Sequence, residues 1–418
     1  AEAAAGGSLN GTTGNKGGGQ TVTVTLDSGT PMTAIVDANG NWTLPLTPTQ
    51  LGALGQGNHT ITVTASDAVG NQSSTTTGLM VDTTPPTLGI NSVTSDNIVN
   101  TVEAGGALNI TGTGSYDPLH AQAVKVLVNG QNYDAILQPN GTWTITLSAG
   151  ALANVPDGPV TVKATITDYA GNTTTTSSSF MLDASAANAP LVQVNKVSGD
   201  DFVSKVESQS DLTVSGTTTR VEDGRTVTVM LNGQKYTTTV SGGVWSLDIP
   251  KGDVAAVPDG SQVISVSVSD VAGNVASAGH SVTFVTHEAS QPTLIINTVA
   301  QDDVINAQEH DRPLDITGTS THLASGTVVT VTLNSKTYTG TVDSAGNWKI
   351  TVPQADVGNL PESTPGNPYY TISANAQDAA HNPASATHNV AVDTSGPELT
   401  VTLPGSILAD GLINIVEA

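Results

Sequence analysis

Asn140-Gly141-Thr142-Trp143-Thr144-Ile145-Thr146-Leu147 is the stretch that decides how this chain is read. A turn dipeptide opens it, and Trp143, Ile145 and Leu147 then alternate with Thr144 and Thr146. That period of two describes a strand with one buried face. Near-copies of the phrase recur as Asn39-Gly40-Asn41-Trp42, Gly242-Gly243-Val244-Trp245 and Ala345-Gly346-Asn347-Trp348. These are the only four tryptophans in 418 residues, spaced 101, 102 and 103 apart. A fixed period means one structural unit used repeatedly. Its length is that of a small sandwich domain, well beyond the short units that stack into solenoids.

Working outward from Trp143 gives the rest of the unit. Pro85-Pro86 leads into Thr87-Leu88-Gly89-Ile90-Asn91-Ser92-Val93, and a polar stretch from Asp96 to Glu103 precedes Leu108-Asn109-Ile110-Thr111. Val124 to Val128 runs into Asn129-Gly130, a strong hairpin signal, and Tyr133 to Leu137 returns. After Pro156-Asp157-Gly158 the run Val160 to Thr167 alternates strictly, and Asp168-Tyr169-Ala170-Gly171-Asn172 turns into a last strand ending at Asp183. Seven short strands in about 100 residues is the immunoglobulin-like sandwich count, with the tryptophan as core. The expected architecture is all-β: tandem immunoglobulin-like β-sandwiches arranged as an elongated rod.

The period places boundaries at 1–83, 84–186, 187–289 and 290–394. Residues 395–418 supply the first strand of a fifth repeat. Glu2-Ala3 aligns with Glu103-Ala104, Glu207-Ser208, Glu309-His310 and Glu417-Ala418, so the first repeat lacks its opening strand. The frame predicts an interior segment of something longer, and head-to-tail strand exchange between copies by β-augmentation.

Composition narrows the function. There are no cysteines, which removes disulfides, thiolate metal sites and thiol nucleophiles. Acidic residues outnumber basic ones 36 to 12, against nucleic acid or anionic membrane as partners. No apolar run approaches the ~20 residues needed to span a bilayer, and no signal peptide opens the chain. The eight histidines are scattered, and none sits in a nucleophile or zinc motif, so no enzyme is expected.

Carboxylates recur with the period. One signature, Asp-x-x-x-(Asn/Ser)-x-x-Glu, gives Asp96 with Glu103, Asp200 with Glu207, Asp302 with Glu309, and Asp410 with Glu417. A second precedes each last strand: Asp67 to Asn71, Asp168 to Asn172, Asp270 to Asn274 and Asp378 to Asn382. A third ends the unit at Asp82, Asp183 and Asp393, but the third unit reads Val285-Thr286-His287-Glu288 instead. An up-and-down path through seven strands sends the first and third signatures to one pole and the second to the other. Each junction then gathers Asp96, Glu103, Asp183, Asp270 and Asn274 between units two and three. Between three and four it gathers Asp200, Glu207, Asp378 and Asn382. By the same rule Asp82, Asp168 and Asn172 serve the first junction, and Asp302, Glu309 and Asp393 the last. Converging carboxylates repel without a cation, and an oxygen-only set suits calcium, with magnesium second. The alternative is that Asp, Asn and Gly form turns; for Asp37 and Asp343, whose counterparts are Gln138 and Val240, that reading prevails.

These residues resemble the bacterial Ig-like (BIg-type) repeats of giant surface adhesins exported by type I secretion, of the biofilm-associated and non-fimbrial class. The resemblance rests on the Asp82-Thr83-Thr84-Pro85-Pro86 linker, the Val69-Gly70-Asn71 turn after aspartate, and the Gly-x-Trp hairpins. It implies an extracellular, cell-surface stalk, stiffened by calcium between neighbouring repeats, holding a region that binds a host-surface or biofilm-matrix ligand. The rival reading is a glycan- or protein-binding module. Its best candidate is Tyr369-Tyr370, beside the insertion from Pro361 to Pro368.

Overall fold

A computed structural model describes residues 5–14, 19–117, 120 and 122–401. The expected strand in residues 402–418, with Asp410, Asn414 and Glu417, and the Glu2-Ala3 alignment lie outside the described residues. The chain forms two compact units, residues 1–188 and 189–418. Each contains two β-sandwiches with separate hydrophobic cores.

In the second sandwich, Thr142–Leu147, Leu108–Gly114 and Leu88–Ile90 form a three-stranded sheet in that order. The facing sheet has five strands: Gln131–Ile136, Ala123–Val128, Gly158–Thr167, Thr173–Asp183 and Ile98–Asn100. The third and fourth sandwiches repeat this three-plus-five arrangement. In the first, the described strands form a pair (Gly7–Thr12 with Asn41–Leu46) and a four-stranded sheet.

Eight strands, not seven, thus build each of the last three sandwiches. The opening strand is split: Leu88–Ile90 pairs with one sheet, and Ile98–Asn100 joins the other, parallel to Thr173–Asp183. Asn97 makes the crossing possible by adopting a positive φ of 60°. Its amide donates to the Ser179 carbonyl at 2.8 Å. Within the polar stretch from Asp96 to Glu103, only Ile98 and Val99 signal the extra strand, and Val99 is fully buried. A short turn of helix, Thr101–Gly105, follows it.

The tryptophans sit at the centre of each core; Trp143 is 0% exposed. Each lies over a glycine of the neighbouring strand: Trp42 over Gly11, Trp143 over Gly112, Trp245 over Gly216 and Trp348 over Gly318. A Cβ on Gly318 would stand 2.0 Å from the Ile295 carbonyl oxygen and 2.2 Å from Trp348 Cζ2. The repeat therefore depends on a Gly–Trp pair, because no other residue leaves room for both the indole and the close strand.

Candidate functional site

The linkers leaving the sandwiches are held by a device that the sequence reading passed over. One residue, placed before the long penultimate strand, accepts hydrogen bonds from the residues following the last strand. In the first sandwich it is Gln56, whose Oε1 accepts from Thr83 N and Oγ1, both at 2.8 Å. Gln56 Nε2 also donates to Asp82 Oδ1 and Thr84 Oγ1 at 2.7 Å. In the second, Asp157 accepts from Ala184 N (2.9 Å), Ser185 N (3.0 Å) and Oγ (2.5 Å), and Asn188 Nδ2 (2.6 Å). In the third, Asp259 Oδ1 accepts from Thr286 N at 2.8 Å and lies 2.9 Å from His287 Nδ1. In the fourth, Glu362 accepts from Thr394 N (3.0 Å) and Oγ1 (2.5 Å) and from Ser395 Oγ (2.9 Å).

These bonds favour the ionised forms. The Thr394 hydroxyl and amide and Ser395 lower the Glu362 pKa to about 2. Burial works against ionisation at Asp157 and Asp259, yet their linker partners hold both below the usual carboxylate range. A visible signal was the Pro-Asp-Gly and Pro-Glu pattern, which reads as a turn; that its side chain reaches the linker emerges only in three dimensions.

An asparagine reaches the linker from the other side. In the first unit, Asn172 Nδ2 donates to the Asp82 carbonyl at 2.9 Å. In the second unit, Asn382 Nδ2 donates to the equivalent carbonyl, that of Val285, at 3.0 Å, and Asn382 Oδ1 accepts from Lys205 N at 2.8 Å. Asn382 is 1% exposed. Each asparagine is oriented by the aspartate four residues earlier, which accepts both its backbone and side-chain N–H groups: Asp168 for Asn172 and Asp378 for Asn382. Asp67 with Asn71 and Asp270 with Asn274 have the same internal geometry.

The first signature has a local role in each of its three described copies. Asp96, Asp200 and Asp302 accept from the backbone N–H two residues on, those of Ile98, Phe202 and Val304. Glu103, Glu207 and Glu309 accept from Asn100 N, Ser204 N and Asn306 N; at Glu103 and Glu309 this closes a capping box on a short helical turn, and Ser204 Oγ accepts from Glu207 N in return. The third signature lies at the same pole, because Asp183 is in register with Asn100 and Asp393 with Asn306. The structure thus brings these side chains together as pairs with local partners. Among the described residues, no group of three or more His, Asp or Glu side chains is placed to hold a metal ion.

The chemistry of the donors separates the two joints that lie inside a unit. At the first, the Asp82 carbonyl accepts from Asn172 Nδ2 and the Asp82 carboxylate accepts from Thr84 N, and the oxygens of Asp82 are hard donors of the kind that suits calcium. Between the third and fourth sandwiches the set does not fit. Val285 replaces the terminal aspartate, Lys205 pairs with Glu288, and His381 Nε2 lies 3.4 Å from Asp200 Oδ2. Of the adjacent tyrosines, Tyr370 packs against the core with its hydroxyl on the Pro361 carbonyl, and only Tyr369 is exposed.

Comparison with known proteins places this geometry among relatives. A family model described as bacterial Ig-like domain matches residues 10–83 and 91–184. No curated protein matches the chain. It is similar to a solved Ca2+-stabilized adhesin that helps an Antarctic bacterium reach out and bind ice. The two are 33% identical over 94% of this chain and 95% of that one, with a TM-score of 0.38. A 1.5-MDa bacterial ice-binding adhesin, solved for insight into host cell surface retention, is 31% identical over 75% of this chain and 100% of that one (TM-score 0.36). A tetra-tandem repeat from the extending region of a large adhesion protein is 24% identical over 94% and 96% (TM-score 0.41).

Proposed function

The chain belongs to the bacterial Ig-like domain family, whose adhesin repeats are structural and non-enzymatic, and from this premise we propose that it is a stalk segment of a bacterial surface adhesin. Its four repeats, with the boundaries read from the sequence, act outside the cell as a spacer. The observation that carries this reading is the linker anchor repeated in all four sandwiches, at Gln56, Asp157, Asp259 and Glu362. A chain that ties down the residues after each last strand gives up linker freedom, which suits a part that must transmit position rather than enclose a ligand. No helix among the described residues is long and apolar enough to cross a membrane.

The finer part of the proposal is calcium at the joints. It draws on the oxygens of Asp82 and Asp168 beside Asn172, on the acidic excess of the chain, and on the kinship with an adhesin described as Ca2+-stabilized. Asp82, Asp168 and Asn172 would hold the ion at the first joint. Asp96, Glu103, Asp183, Asp270 and Asn274 would supply the second; Asp302, Glu309 and Asp393 would face the next repeat. Bound calcium would neutralise the carboxylates there and fix the angle between sandwiches. Small-angle scattering in calcium and in chelator tests this reading. The expected result is a smaller maximum dimension after chelation with each sandwich still folded; identical curves reject calcium stiffening.

A further inference from the structure

The joint between the third and fourth sandwiches departs from its siblings in three positions, one losing a carboxylate, one gaining an ammonium and one gaining an imidazole. The residue at the close of the last strand is an aspartate in the other repeats, Asp183 and Asp393 ending it and Asp82 directly following it, but Val285 here. The register confirms the equivalence, since Val285 pairs with Ser204 as Asp183 does with Asn100. The next residue after that partner is Thr101 in the second repeat and Ala307 in the fourth, but Lys205 in the third. The turn glycine of the other repeats (Gly70, Gly171, Gly273) becomes His381, which keeps the left-handed φ, at 64°. A side chain in that conformation is strained, so its presence calls for a compensating contact. His381 makes one with Asp200.

We propose that this joint is calcium-independent: Asn382 closes it directly, and the Lys205 ammonium occupies the electrostatic role a divalent ion would fill, with the His381 ring set against Asp200. The Asn382 amide uses both ends across the joint, accepting from Lys205 N and donating to the Val285 carbonyl, while shielded from water. That bridge does most of the holding. The Lys205–Glu288 pair, with Glu288 84% exposed, is screened and holds little by itself. Its weight lies elsewhere: an ammonium beside the joint and the loss of the aspartate from the position of Val285 both lower the affinity for a doubly charged ion. A tandem array with calcium at some joints and none at this one would keep a permanently set pair of beads.

The proposal rests on the calcium reading only for its contrast with the other joints, and the test separates the two. The full chain has no native cysteine, so spin labels can be placed at will. One variant carries Thr237→Cys with Thr339→Cys, across the third and fourth sandwiches; another carries Asn132→Cys with Thr237→Cys, across the second and third. Distance distributions are measured by pulsed electron resonance in calcium and in chelator. The expected result is that chelation broadens the second-to-third distribution and leaves the third-to-fourth one unchanged. Asn382→Ala should broaden the third-to-fourth distribution in both conditions. Val285→Asp with Lys205→Thr and His381→Gly should make it calcium-sensitive. Broadening of the unmodified third-to-fourth distribution by chelator overturns the proposal. If neither distribution responds, the calcium reading of the other joints fails while this joint stands as described.

Discussion

Gly318→Ala should unfold one sandwich early and leave the other three alone. The added methyl would sit 2.0 Å from the Ile295 carbonyl oxygen and 2.2 to 2.4 Å from two indole carbons of Trp348. Neither neighbour can yield cheaply. Ile296 and Trp348 both pair with Gly318, so moving the carbonyl breaks the short strand Thr293–Ile296 away, and moving the indole empties the core. Overpacking of this kind costs typically about 1–3 kcal/mol. Losing one or two strand hydrogen bonds adds roughly 1–2 kcal/mol. A total near 3 kcal/mol is a large share of the roughly 5–15 kcal/mol that holds a domain together. For a unit of about 100 residues it corresponds to a melting shift of about 12–24 °C. Tryptophan fluorescence during heating is the assay, because each sandwich holds a single buried tryptophan. An early transition should appear carrying the Trp348 signal. Gly252→Ala, where an added methyl meets nothing within 4 Å, is the control and should not lower stability. A Gly318→Ala chain that melts like the parent would refute the close-approach argument.

Three other outcomes follow from the linkers and loops. Glu362→Gln should preserve the anchor, since Gln56 already performs it with an amide, but abolish its acid sensitivity. In the parent the folded pKa is depressed from 4.5 to about 2. The anchor's pH-dependent contribution is therefore complete above the unfolded value and lost as pH falls through the folded one. The Thr394 amide resonance should titrate near that folded value, and a midpoint at the ordinary glutamate value would contradict the geometry. Asn382→Ala strands the Lys205 N–H and leaves the Val285 carbonyl with Gln291 Nε2 as its donor, at a cost of about 1–3 kcal/mol in urea unfolding of the last two sandwiches. A change within error would show the bridge to be dispensable. His280→Ala removes a 2.6 Å contact to Asp201, which also accepts from Val197 N. Burial opposes ionisation of Asp201, but His280 helps keep its pKa low, so the variant should raise it; a carboxyl carbon titration that does not move would exclude the pair as the cause. Because both side chains are about a quarter exposed, the stability loss should be at most about 1 kcal/mol.

How far the residues themselves could be read differs from element to element. Trp143 with Ile145 and Leu147 was legible because burial on one face of a strand writes itself as a period of two. Ile98–Asn100 was not, since three residues are too short for any period and their partner lies some eighty positions away. The acidic signatures were legible as recurrence but not as geometry. Glu103 and Glu309 recur for a reason visible in the spacing, the capping box with Asn100 and Asn306, although their charge alone points to a cation site. Asp157 and Glu362 looked like turn residues because their partners come twenty-seven or more positions later.

The sequence by itself determined the repeat, the all-β class, the strand alternation and the tryptophan cores. Those features follow from local backbone preference and from which side chains avoid water, and both are periodic along the chain. Only the tertiary structure decided the divided opening strand, the Gly–Trp contacts, the linker anchors and the asparagine bridges. Each of these depends on two segments meeting at atomic distance, and hydrogen bonds and steric fit are set by that distance rather than by order along the chain.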